Sequence, residues 1–194
     1  MIFLTFGTGM GAGLILDGRL HEGANGLAGE IGHLRLERDG PVGYGKPGSF
    51  EGFCSGGGIA QLARSMADAH LRAGGTSLYC PTPAGLTGVT AHSVGEAARQ
   101  GDALALEVWR VVGRQLGRGL AVLVDILNPE RIVIGGIYGR QRALLEPPTL
   151  RALRQEALPG ALAACAFVPA ALGEQIGNVA SLAVALQVGC APRL

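Results

Sequence analysis

No stretch of this 194-residue chain has the makings of a bilayer span. The most apolar run, Leu116 to Leu127, is interrupted by Arg118 and Asp125 and falls short of the roughly 20 residues a membrane helix needs. Charge is equally sparse: 16% of residues are charged, the net charge is +1, and Lys and Arg are scattered rather than clustered. That excludes the basic face of a nucleic-acid binder, so no direct nucleic-acid contact is expected. The four cysteines, Cys54, Cys80, Cys165 and Cys190, show no C-x-x-C spacing and follow no signal-peptide pattern. The expectation is buried free thiols in a cytoplasmic protein. No segment repeats at a period of roughly 20 to 50 residues, which sets aside solenoids and propellers.

Glycine is abundant instead. The chain carries 33 glycines, far above the average usage of about 7%, set beside helix-forming Ala and Leu rather than in a repeat. The most informative group lies in Leu4-Thr5-Phe6-Gly7-Thr8-Gly9-Met10-Gly11-Ala12-Gly13, a β-like run feeding four glycines at every second position and then a second β-like run, Leu14-Ile15-Leu16. Glycine reaches φ > 0 cheaply, so several N–H groups can converge on one anion. A Walker loop would need Gly-Lys-Ser/Thr, which is absent, and a Rossmann loop would open a helix. The segment therefore predicts a glycine-rich β-hairpin, either a phosphate cradle or simply a bend where sheets pack closely.

Four short β segments are predicted before Leu36: Ile2 to Phe6, Gly13 to Leu16, Arg19 to Glu22 and His33 to Leu36. Glu37 to Phe50, with Asp39-Gly40-Pro41, Gly43, Gly45, Pro47 and Gly48, predicts a loop. Apolar spacing predicts a helix from Phe50 to about Ala73, loosened at its start by Gly56-Gly57-Gly58. Gly74 to Gly88 predicts another loop. Thr90 or Ser93 is a candidate cap for a helix through Gln100, with Glu96 completing a capping box after Ser93.

The longest helix is predicted from Asp102 to Leu127, its core face formed by Leu106, Trp109, Val112, Leu116, Leu120, Leu123 and Leu127 and its end set by Asn128-Pro129. Arg131-Ile132-Val133-Ile134 then predicts a buried parallel strand turning sharply at Gly135-Gly136, a place where α/β proteins hold ligands. A helix from about Gln141 to Ala157, a strand near Cys165 to Pro169 and a helix from about Gln175 to Val188 complete an α/β domain: one mixed sheet flanked by helices.

Glu30-Ile31-Gly32-His33 sets a carboxylate and an imidazole three residues apart, with Glu51 beyond the loop as a third polar candidate. A carboxylate accepts from two hydroxyls and an imidazole donates or accepts, a combination suited to orienting a polyol. Each also has an ordinary alternative: a Glu near a helix start favours the dipole, and a lone His is commonly structural.

Three ordered motifs carry a resemblance: Gly7-Thr8-Gly9-x-Gly11-x-Gly13, then Gly23-Ala24-Asn25-Gly26-x-Ala28-Gly29-Glu30-Ile31-Gly32-His33, then Gly45-x-x-Gly48-x-x-Glu51-x-x-x-Ser55-Gly56. With Asn128 to Gly136, and more weakly Gly177 to Leu186, they resemble the ROK family of repressors and sugar kinases across essentially the whole chain. The resemblance implies an actin/hexokinase-like ATPase domain of the ribonuclease H type. It implies that Gly7, Thr8, Gly9 and Gly11 handle ATP phosphates, that Gly135 and Gly136 lie near adenosine, and that Glu30, His33 and Glu51 bind sugar hydroxyls, with ATP and Mg as the cofactors of a complete enzyme.

Two departures qualify it. Zinc-bearing members carry three cysteines in the loop after the histidine, whereas Val42, Tyr44 and Ser49 stand there in this chain; one imidazole cannot make a structural zinc site. Zinc is therefore expected to be absent, with packing of Val42, Tyr44 and Phe50 in its place and a more mobile loop at 37–51. The family's Asp-x-Gly-Gly-Thr phosphate loop and its Asn-Asp general base are also missing from this sequence. The expectation is a C-terminal ROK lobe over 1–194, without the N-terminal lobe and with no catalytic residue of its own. It would bind sugar and, weakly, ATP, and assemble as a homo-oligomer. Its parent would be a glucokinase-like hexose kinase, the alternatives being the effector lobe of a repressor or a non-catalytic remnant.

Overall fold

In a computed structural model, which describes residues 1–175 and 179, a five-stranded sheet is built in the order β3-β2-β1-β6-β7. Strand β1 (Ile2–Phe6) pairs antiparallel with β2 (Met10–Leu16) through the glycine hairpin, and β3 (Arg19–Leu20) adds a short edge. Strand β6 (Arg131–Ile134) runs parallel to β1 with Ile2 opposite Ile132 and Leu4 opposite Ile134, and β7 (Ala166–Pro169) extends the parallel half. Because β1 and β6 are neighbouring parallel strands, the Gly7 and Gly135 turns leave the sheet at the same end.

Helix α1 (Phe50–Phe53) is followed by α2 (Gly56–Arg72), α3 (Ala91–Arg99) and α4 (Ala103–Leu127). Helices α5 (Ile137–Arg140), α6 (Arg142–Glu156) and α7 (Pro159–Ala163) lie between β6 and β7. The core joins Leu4, Phe6, Ile132 and Ile134 of the sheet to Trp109, Val112, Leu116 and Leu120 of α4, all essentially buried. Asp102 caps α4 by accepting from Ala105 N–H at 2.7 Å, and Asn128 ends the helix in the left-handed region.

Helices α4 and α6 cross closely because α4 offers glycine there. A Cβ on Gly117 would stand 2.4 Å from the Thr149 carbonyl oxygen, and one on Gly113 would stand 2.5 Å from Pro148 Cγ. Among helices of the described residues none is long and apolar enough to cross a membrane.

Several local expectations are corrected. The second strand begins at Met10 rather than Gly13, because the hairpin glycines pair in the ladder, and the third ends at Leu20. Ile31–His33 is a turn of 3-10 helix rather than the start of a strand; beyond it Arg35 makes only an isolated bridge to Ser49. The segment expected to be all loop holds a two-stranded ribbon of β4 (Val42–Gly43) and β5 (Lys46–Pro47).

The single helix from Phe50 breaks at Cys54. Ser55 re-caps the chain, accepting from Gly58 N–H at 3.1 Å, so the glycine run opens α2 instead of loosening it. Thr90 forms its capping box with Ser93, not Ser93 with Glu96. Leu106 faces outward, 41% exposed. The helix expected from Gln175 to Val188 lies outside the described residues.

Candidate functional site

Glu30 immediately precedes the 3-10 turn and His33 ends it, and both side chains reach the same concavity. The turn seats against the hairpin only because Gly32 lacks a Cβ: one there would stand 2.2 Å from Met10 O and 3.2 Å from Glu51 Cβ. Glu51 enters from the first turn of α1, whose cap is the buried Ser49 hydroxyl accepting from Gly52 N–H at 3.0 Å. Met10, Leu27, Glu30, Gly32, His33, Tyr44 and Glu51 together line an open concavity of about 500 Å³. The three polar residues singled out in the sequence are thus brought together.

Glu51 joins this concavity to the glycine turn. Its Oε2 accepts from Met10 N–H at 3.1 Å, and a Cβ on Gly9 would lie 3.0 Å from the same oxygen. At the turn, Gly7 N–H donates to Gly9 O at 3.0 Å, Thr8 is exposed, and open space surrounds the position a Gly7 Cβ would occupy. Gly11 stands apart from the turn: its N–H donates to Thr5 Oγ1 at 3.2 Å within the ladder.

Gly135 and Gly136 arrive beside the turn from β6. Gly135 N–H donates to Leu4 O at 2.9 Å, and Gly136, at φ +69°, passes so close to Phe6 that a Cβ would lie 2.2 Å from its carbonyl oxygen. The start of α2 is a third party, overlooked in the sequence because Gly56-Gly57-Gly58 reads as poor helix. Gly56 N–H donates to Gly7 O at 2.8 Å, and Gly57 is exposed with open space around it. Its first-turn N–H has no helical carbonyl within reach, and the positive end of the helix lies beside the Gly7 turn. The signal that would have found it is Ser55 followed by glycine at the third position, a cap with its N–H donor. Of the N–H groups named here, those of Gly7, Gly56 and Gly135 are spent on backbone carbonyls, which leaves the Gly57 N–H at the start of α2 as the donor open to an anion.

The loop at 37–51 does not fit zinc. Ser49 is spent on the α1 cap, Val42 is 44% exposed and Tyr44 is 89% exposed; among the described residues no three His, Cys, Asp or Glu side chains group to hold a metal. Cys54 and Cys80 are buried elsewhere in the core, where desolvation raises the thiol pKa of each.

The expected packing of Val42 and Tyr44 is overturned by the same exposures; only Phe50 is buried. Hydrogen bonds hold the loop instead. The Gln61 amide accepts from Val42 N–H and donates to Val42 O, both at 3.0 Å, and Lys46 Nζ donates to His33 O at 2.7 Å. Glu37 accepts from Gln115 Nε2 at 3.0 Å and pairs with Arg118 of α4; the Gln115 bond, aided by the Arg118 charge, keeps its carboxyl below the ordinary range.

The chain is similar to the glucokinase of Halalkalibacterium halodurans, with 36% identity over 181 residues covering 92% of this chain and 54% of that protein. It is 34% identical over 154 residues to the N-acetylglucosamine repressor of Escherichia coli O157:H7, covering 77% and 35% respectively. Its fold superposes at a TM-score of 0.79 and 32% identity on a ROK family glucokinase from Streptomyces griseus in complex with glucose and AMPPNP, covering 96% of this chain and 60% of that one. The chain therefore spans about half the length of the glucokinase relatives it matches, and the architecture is the actin/hexokinase-like, ribonuclease H-type fold. With the model of that family matching residues 1–188, the chain belongs to the ROK family.

Proposed function

We propose that this chain is the C-terminal lobe of an ATP-dependent ROK sugar kinase, holding the sugar through Glu30, His33 and Glu51 and the nucleotide through Gly7, Thr8, Gly9, Gly135 and Gly136. The observation that carries the reading is the Glu51–Met10 hydrogen bond, which makes one wall serve both the polar concavity and the glycine turn. The carboxylates accept from sugar hydroxyls and the imidazole fixes ring orientation. The start of α2 offers the Gly57 N–H to a phosphate beside the glycine turn, and bound ATP with Mg supplies the phosphoryl group.

None of the chain's aspartates follows an Asn, so no residue is assigned as general base, a group worth roughly 10²- to 10⁴-fold in rate. The 194-residue protein is therefore catalytically incomplete by itself. Calorimetry with glucose and with ATP tests the two sites, and a coupled assay tests completeness. Absence of heat with either ligand refutes the binding roles, and robust hexose phosphorylation refutes the incompleteness.

The similarity to the N-acetylglucosamine repressor supports a second reading, a sugar-sensing effector lobe. The reading frame upstream of Met1 separates the two: an in-frame Asp-x-Gly-Gly-Thr favours the kinase, an additional helix-turn-helix the repressor. A third reading, a non-catalytic oligomeric remnant, predicts a homo-oligomer by light scattering with no heat from glucose, N-acetylmannosamine or ATP.

A further inference from the structure

The ribbon of β4 and β5 turns through two residues, Tyr44 and Gly45, both at positive φ (44° and 75°). Two left-handed central residues are the mark of a type I′ turn, in which Asn-Gly is the favoured pair because Asn tolerates that region and bulky side chains do not. Tyrosine is thus a poor choice for the turn as a turn. A backbone conformation maintained against its residue's preference is a pointer to use of the side chain.

That side chain stands on the rim of the polar concavity, 89% exposed, and helps line it together with Glu30, His33 and Glu51. Its ring meets the His33 ring edge-to-face at 6.1 Å between centroids and 76° between planes. Lys46, two residues on, donates to His33 O and ties the ribbon to the turn bearing the imidazole. Leu27, 61% exposed, is a second apolar side chain on the lining. An aromatic face and an exposed leucine beside two carboxylates and an imidazole give the concavity apolar and hydroxyl-binding surfaces together. A pyranose has the matching pair: hydroxyls around its edge and C–H bonds across its face. The electron-rich face of an aromatic ring attracts such weakly positive hydrogens, and tyrosine offers it at low entropic cost.

We propose that Tyr44 is an aromatic subsite of this concavity, a platform on which the C–H face of a pyranose stacks while Glu30, His33 and Glu51 take its hydroxyls. The inference rests on the sugar-binding reading above and adds the ring face to what is recognised. It also separates binding from stability. Tyr44→Asn installs the favoured turn pair and removes the platform, so the ribbon is kept or strengthened while the sugar is held less well. Tyr44→Phe keeps the ring.

The test uses the full chain with glucose as probe, read by calorimetry and by NMR of the bound sugar. Wild type and Tyr44→Phe bind within about twofold of each other, and in both the sugar C–H resonances move upfield under the ring current. Tyr44→Asn melts no lower than wild type, yet binds glucose roughly three- to tenfold more weakly and loses the upfield shift. Binding by wild type without an upfield shift, or unchanged affinity in Tyr44→Asn, overturns the platform and leaves the hydroxyl-binding reading standing. No glucose binding by wild type overturns both. A Tyr44→Asn variant that melts well below wild type overturns the claim that tyrosine is kept here against the preference of the turn.

Discussion

The Glu51 carboxylate accepts from Met10 N–H at 3.1 Å, joining the first turn of α1 to the start of β2 across 41 residues of sequence. The same oxygen lies 3.0 Å from where a Gly9 Cβ would stand, so the glycine turn and the polar concavity share one side chain.

Glu51→Gln separates the two roles. The amide oxygen still accepts from Met10 N–H, so the melting temperature changes little. The charged acceptor for sugar hydroxyls is lost, and bonds to charged groups are worth about 1.5–3 kcal/mol. Glucose affinity is expected to fall about tenfold or more in calorimetry; an unchanged affinity would remove Glu51 from the sugar site.

Gly117→Ala tests the helix crossing. Alanine favours an isolated helix by up to about 1 kcal/mol, but its methyl would stand 2.4 Å from the Thr149 carbonyl oxygen, a rigid backbone atom. Overpacking of that kind costs about 1–3 kcal/mol, so net destabilisation is expected in urea unfolding. Gly160→Ala is the control, since nothing lies within 4 Å of its Cβ position. If the two variants unfold alike, the close crossing is not what requires glycine at 117.

Features set by neighbours in sequence were legible in it. The β1–β2 hairpin, the Asp102 and Asn128 ends of α4 and the sharp Gly135-Gly136 turn follow from glycine, caps and an apolar run. Glu30 and His33 were singled out by residue type, but the 3-10 turn that brings them together stands where a strand was expected. What escaped reading depends on contacts distant in sequence or on a local rule being broken. The Tyr44-Gly45 turn lacks the Asn that would announce it. Gly56-Gly57-Gly58 opens a helix against propensity from the Ser55 cap, and glycine is required at 58 because a Cβ there would stand 1.8 Å from Gly52 O. The clasp of Gln61 on Val42 spans 19 residues and leaves no trace in spacing.

That clasp predicts how the 37–51 loop responds to metal removal. Its ties run through Gln61, Lys46, Ser49 and Glu37, none of which needs a cation, so a chelator such as EDTA is expected to leave the melting curve unchanged. Gln61→Ala frees both Val42 backbone groups and is expected to speed amide exchange around Val42 while leaving α4 protected. A chelator-induced fall in melting temperature would show that a metal holds the loop after all.

Acid titration reads the cap of α4. Asp102 accepts from Ala105 N–H and Leu78 N–H, each at 2.7 Å, and from the Ser77 hydroxyl at 3.0 Å. Burial alone would raise its pKa, but these donors together outweigh burial and hold it below the ordinary 3.8. A depressed carboxyl contributes stability that is fully present above its unfolded pKa and is lost as pH falls through the folded one. Asp102→Ala is therefore expected to cost about 1–2 kcal/mol at neutral pH, the usual worth of an N-cap. The gap between wild type and variant should narrow as pH drops below 3.8, because wild type alone loses the charged cap. Denaturant midpoints measured at neutral pH and below that value give the comparison; a gap that persists undiminished in acid would mean that the ionised carboxylate is not what holds the start of α4.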